Sequence, residues 1–129
     1  MRLDTSNNSV FHSIIAIGIK RRETIMRIEQ VLREFRGEIE KLYGKRLRDI
    51  ILYGSWARGD ATEDSDIDLV IILEGKVIPG KEIDRMIEII TEINLKHGVL
   101  ISVYPISEKD YFVVNSPLLI SVRREGVSA

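Results

Sequence analysis

The stretch "ILYGSWARGDATEDSDIDLVIIL", residues 51–73, decides how this chain folds. A Gly-Ser pair, one arginine and five acidic residues stand between two runs that are otherwise strongly apolar. The runs read as short strands at 50–53 and 66–73, and the second is apolar without interruption from Leu69 to Leu73. A strand that does not alternate is covered on both faces. The acidic insert therefore sits at the mouth of a buried sheet and not on an open surface.

Upstream, Ile25, Ile28, Val31, Leu32, Phe35, Ile39, Leu42 and Tyr43 recur at helical spacing, with Gly44 as a stop. Downstream, residues 75–80, with Pro79, read as a loop. Ile83, Met86, Ile87, Ile90 and Ile93 then make a second amphipathic helix that ends near His97 and Gly98. Residues 99–105 form a third strand, and Ser107 is placed to cap a short helical segment. Ser116-Pro117 opens a last helix that Gly126 can close. Strands alternating with helices predict an α/β (α+β) domain over 25–129. Residues 1–24 fit this scheme poorly, and they read as an N-terminal extension of undetermined structure. Two readings of it stand: an extra element packing on the domain or a partner, or a true translation start at Met26.

A chain of 129 residues, 44% hydrophobic and 30% charged, is large enough for one globular domain with its own core. It contains no cysteine, which removes disulfides, thiolate nucleophiles and Cys-ligated metals and makes the cytoplasm the expected compartment. The apolar stretch at 10–19 is broken by His12, Ser13 and Gly18, lacks the basic flank of a secretory signal, and falls short of the roughly 20 residues a membrane span needs. The net charge of -1 hides an asymmetry: eleven Lys/Arg against seven Asp/Glu in 1–49, and three against ten in 60–92. Solvated helix faces account for it, and nucleic-acid binding is not indicated.

Three templates combine glycine with acid. Gly54 and Gly59 have the spacing of a phosphate-binding P-loop, but the Lys-Ser/Thr that must follow is Asp60-Ala61 here. Asp64, Asp66 and Asp68 imitate the first ligands of a calcium-binding EF-hand, yet its turn glycine is Leu69 and its bidentate glutamate is Gly75. Both templates are excluded. The third is a pair of carboxylates on one strand face, since Asp66 and Asp68 are separated by a single residue. Their Cα atoms stand roughly 6 to 7 Å apart by strand rise. They repel unless a cation such as Mg²⁺ sits between them or one is protonated. Gly54-Ser55, where strand gives way to a helical turn, lets a phosphate approach the backbone and offers it a hydroxyl.

With these residues in view, "GSWARGDATEDSDIDL" resembles the Gly-Ser, Arg-Gly and Asp-x-Asp signature of the DNA polymerase beta-like nucleotidyltransferases, and within them the minimal nucleotidyltransferases of archaea and bacteria. The resemblance implies a small mixed β-sheet flanked by helices. It also implies that Gly54, Ser55 and Arg58 bind the phosphates of ATP or another NTP, and that Asp66 and Asp68 ligate Mg²⁺ and carry catalysis. The implied reaction moves a nucleotidyl group, adenylyl above all, to a protein or small-molecule acceptor. A HEPN-type helical protein is the partner such chains imply, as toxin to this chain's antitoxin, and self-association is a further possibility.

The chain departs from that pattern at one point. The resemblance calls for a third carboxylate on the later strand, and "VLISVYP" has Ser102 there. A hydroxyl is a weak, neutral ligand, so one of two expected metal sites is impaired. This keeps a second reading open, a nucleotide- or partner-binding module with weak or no turnover; Glu108 and Asp110 are the nearest later carboxylates. Other residues have plainer readings beside the functional one: Ser55 as a helix N-cap, Arg58 as the partner of a nearby acid, Trp56 as packing, Ser65 as a turn residue, and His12 and His97 as bland.

Overall fold

In the computed structural model of the chain, the described residues are 9–129, with side chains from Arg21 onward. Helix α1 (Ser9–Tyr43) leads through a 3-10 turn (Gly44–Arg46) into strand β1 (Leu47–Tyr53) and the single-turn helix α2 (Ser55–Arg58). Strand β2 (Ile67–Leu73), helix α3 (Pro79–His97) and strand β3 (Ile101–Ser107) follow, then α4 (Glu108–Val113), α5 (Pro117–Glu125) and a two-residue strand β4 (Val127–Ser128). The sheet order is β3-β2-β1-β4, with β2 and β3 parallel and the β1–β2 and β1–β4 pairs antiparallel. The expected mixed sheet flanked by helices is what forms. The long α3 supplies the crossover that a parallel pair requires.

Alternation along the strands sorts the core into two layers. Ile50, Leu52, Ile67, Leu69, Ile71 and Leu73 face α1 and α3, where Val31, Phe35, Ile39 and Met86 are fully covered. Ile51, Val70, Ile72 and Ile106 face the other way, against Tyr111, Leu119 and Val122 of α4 and α5. Leu69 to Leu73 is therefore buried on both faces, as its unbroken apolar run predicts.

The helix punctuation follows the sequence. Gly98 ends α3 in the left-handed conformation, with φ 63 and ψ 40. Ser107 Oγ accepts from the Asp110 amide at 3.1 Å and Ser116 Oγ from the Leu119 amide at 3.2 Å, so both predicted caps are made. Boundaries shift more: β1 starts at Leu47 and β3 runs 101–107, because pairing across the sheet extends strands into charged and proline-containing sequence that propensity alone would end. Residues 1–8 lie outside the described residues, so the expected extension over 1–24 is described only in part, from Ser9, as the beginning of α1. Among the described residues no helix is long and apolar enough to cross a membrane.

Candidate active site

The site is built where β1 ends. Gly54, with φ 76 and ψ −154, turns the chain out of the strand, α2 makes one turn, and Gly59, with φ 83 and ψ 11, stops it. The antiparallel register sets Tyr53 opposite Asp68, so the Gly-Ser pair and the paired carboxylates meet at one end of the sheet. They are in contact: a Cβ added to Gly54 would lie 2.5 Å from Asp68 Oδ2. Only glycine leaves room for the carboxylate there, and only glycine adopts that backbone conformation without strain. Ser55 is the first residue of α2 and not its cap; the cap position is Gly54.

Asp68 shares a sheet face with Val70 and Ile72, the face that α4 and α5 cover. At the Asp68 end this cover stops, and Ser102 and Tyr104 are exposed. Asp66 stands just before β2, exposed, while Asp68 is half-buried. Burial first, and then the Asp66 charge, push the Asp68 carboxyl above its ordinary value of 3.8, against a smaller downward pull from Arg58. The Tyr53 phenol is raised by burial first, then by Asp68 and by Tyr104, which places Tyr53 within electrostatic reach of Asp68. The hard carboxylate oxygens of Asp66 and Asp68 suit Mg²⁺ better than a soft metal.

Ser102 is the register partner of Asp68 on β3, so the position where a third carboxylate would stand is filled by a hydroxyl. Among the described residues no cluster of three or more Asp, Glu, His or Cys side chains can hold a metal ion. Glu108 and Asp110 do not substitute. They follow Ser107, which pairs with Leu73 at the far end of the sheet, roughly 16 Å from Ser102 by strand rise. Glu108 is engaged there by Arg48 at 3.5 Å.

The plainer readings are met at several positions. Trp56 Nε1 donates to the Ser65 carbonyl at 3.2 Å, and Ser65 Oγ accepts from the Thr62 amide at 2.9 Å, so both brace the loop that returns to β2. Trp56 also lines an apolar cleft with Ile25, Ile28, Leu32 and Leu52 on the α1 side of the sheet, away from the carboxylates. Arg58 Nε lies 3.3 Å from Asp60 Oδ2 and Nη1 4.0 Å from Glu125 Oε2, while its charge is still felt at Asp68. His97 has a partner, Glu34 Oε2 at 2.8 Å, and with Lys96 it ties α3 to α1; His12 is outside the described side chains. Sequence reading missed Tyr53, Tyr104 and Glu125, because each reaches the site only through sheet pairing or the packing of α5.

A mixed sheet whose first hairpin presses a Gly-Ser turn against an Asp-x-Asp strand has the architecture of a nucleotidyltransferase. Residues 32–124 match the nucleotidyltransferase domain family, and the chain belongs to that family. It is 40% identical over 84 residues to a Methanocaldococcus jannaschii protein named "Putative protein adenylyltransferase MJ0604", covering 65% of this chain and 78% of that one. It is 37% identical over 51 residues to the protein adenylyltransferase MntA of Thermococcus cleftensis, covering 40% of this chain and 50% of the other. Among solved structures, a toxin-antitoxin with AMP-PNP superimposes with a TM-score of 0.50 at 17% identity, covering 79% of this chain and 68% of that one. At that identity the likeness is one of fold.

Proposed function

We propose that this protein binds a nucleoside triphosphate, ATP in the first place, with Mg²⁺, and transfers the adenylyl group to a hydroxyl on a protein acceptor. The observation that carries the reading is the contact of Gly54 with the Asp68 carboxylate, which sets a phosphate grip against a metal grip. Gly54 opens the backbone to the phosphates, the Ser55 hydroxyl donates to them, and Arg58 adds positive charge. Asp66 and Asp68 hold the Mg²⁺, which when bound supplies the charge that neutralises the phosphates. The acceptor oxygen gives up its proton to solvent and bonds to the α-phosphorus as the bond to the bridging oxygen breaks, and pyrophosphate leaves. Orientation and charge supply most of the rate.

On this reading the acceptor is presented by a second polypeptide. Two relatives named as protein adenylyltransferases and a fold neighbour from a toxin-antitoxin support a partner protein for this chain; the family resemblance implies that it is a helical, HEPN-type toxin, with this chain as antitoxin. The test is to incubate the protein and its co-purifying partner with Mg²⁺ and α-labelled ATP, beside Asp66→Asn and Asp68→Asn. Label on the partner that disappears in both variants is expected; label that persists in both rejects the site.

Ser102 favours a second reading. With a hydroxyl facing Asp68, the chain binds Mg²⁺-ATP and its partner but turns over slowly or not at all. Nucleotide binding by the wild type without any labelled product decides for it.

A further inference from the structure

We propose that Glu125 sets the nucleotide affinity of the site by competing with the phosphates for Arg58. The inference rests on the nucleotide-binding reading above and adds to it a residue from the opposite end of the chain. Arg58 is flanked by two carboxylates, Asp60 Oδ2 at 3.3 Å from Nε and Glu125 Oε2 at 4.0 Å from Nη1. Asp60 is a neighbour in sequence and largely solvated. Glu125 is not a neighbour; it is carried to Arg58 by the last helix.

Its backbone is held there. The Gly126 amide donates to the Val122 carbonyl at 2.7 Å, and a Cβ on Gly126 would lie 2.4 Å from Ile51 Cγ2. Val127 and Ser128 then pair with Leu52 and Ile51 of β1, the strand that leads into Gly54. Ser128 Oγ donates to Asp49 Oδ2 at 2.8 Å, the Ala129 amide to the Ile50 carbonyl at 2.8 Å, and Arg36 to the Ala129 carbonyl. Arg124, 3.5 Å from Glu125 Oε1, is exposed and only partly offsets the Glu125 charge.

Arg58 thus faces acid on two sides while its charge still reaches Asp68. A guanidinium so flanked is partly neutralised before any phosphate arrives, and the Nη1 group 4.0 Å from Glu125 is one a phosphate would use. Phosphates gripped at Gly54 and Ser55 must draw Arg58 away from Glu125. Neutralising Glu125 therefore tightens binding, by about two- to fivefold, the size expected for releasing one partly exposed ion pair.

The test is calorimetric titration with Mg²⁺-AMP-PNP of the wild type, Glu125→Gln, Arg58→Ala and the double variant, each checked for an unchanged circular dichroism melt. Glu125→Gln is expected to bind about two- to fivefold more tightly than the wild type, Arg58→Ala more weakly, and Glu125→Gln to bring no gain on the Arg58→Ala background. Unchanged or weaker binding by Glu125→Gln overturns the proposal, as does a gain that survives without Arg58. A wild type that binds no nucleotide brings down the parent reading and this one with it; a wild type that binds, with no coupling between the two residues, brings down this one alone.

Discussion

Replacing Gly54 by alanine tests the contact on which the site depends. The residue sits at φ 76 and ψ −154, a region open to glycine alone, and the added Cβ would stand 2.5 Å from Asp68 Oδ2, 3.4 Å from its Cγ and 3.6 Å from its Cβ. The backbone conformation alone costs about 1–3 kcal/mol. The clash is relieved by swinging the carboxylate away or by moving the turn out of β1, and either movement separates the two grips. The backbone cost alone lowers the melting temperature by about 4–12 °C, at about 4 °C per kcal/mol for a domain of this size, and the clash adds to it. Gly59→Ala is the control: φ is 83 there too, but ψ is 11 and nothing lies within 4 Å of the added atom. It bears only the left-handed strain of about 1–2 kcal/mol. Thermal melts followed by circular dichroism, with and without Mg²⁺-ATP, separate the two variants: Gly59→Ala keeps the nucleotide-induced rise and Gly54→Ala loses it. If Gly54→Ala melts within about 2 °C of the wild type and keeps that rise, the reasoning about this contact is wrong.

Asp68→Asn is expected to melt higher than the wild type at pH 7 in EDTA. A carboxyl whose folded value is raised favours the fold below its ordinary 3.8 and loses that contribution as pH rises through the folded value, so the advantage of Asn disappears in melts at lower pH. Ser102→Asp puts a like charge beside Asp68 and lowers the melting temperature without metal, while Mg²⁺ reverses the loss and transfer of labelled adenylyl rises at least about tenfold. Tyr43→Phe removes the hydroxyl that donates to Glu82 Oε1 at 3.0 Å, and Glu82 is only 4% exposed, with Arg46 and Arg85 no nearer than 3.7 Å. The cost is about 1–3 kcal/mol, read as a fall of about 4–12 °C in the melt.

What was legible in the sequence was what short spacing determines. The Gly54–Leu69 pattern, the unbroken apolar β2 and the two amphipathic helices each report a local period or a backbone requirement, and the sheet, its helices and the family follow from them. What depends on pairing between distant segments was not legible. β4 is two residues long and exposed, so no alternation marks it; it exists because Gly126 fits against Ile51 and lets the chain turn back along β1. Glu125 was one acid among twenty, and Tyr53 the end of an apolar run, until packing and register carried them to Arg58 and Asp68.

The same register explains why the missing carboxylate cannot be sought one position away. Sliding β3 by a residue against β2 would turn Ile101 and Ile106, 5% and 8% exposed, out of their layers and bring Val103 and Pro105 to the opposite face. The sheet therefore holds position 102, and no other on β3, beside Asp68. The later acids do not replace the missing carboxylate: Glu108 and Asp110 are committed to the far end by the direction of the strand, and Glu125 is turned to Arg58. Serine at 102 leaves Asp66 and Asp68 as the carboxylates at this edge, which on the proposed reading hold one Mg²⁺ ion and its nucleotide. On the proposed reading, a third carboxylate is supplied by the partner that presents the acceptor. On that logic, activity that appears only when the partner is present, and that Ser102→Asp makes independent of partner carboxylates, is the outcome that joins the two readings of this site into one.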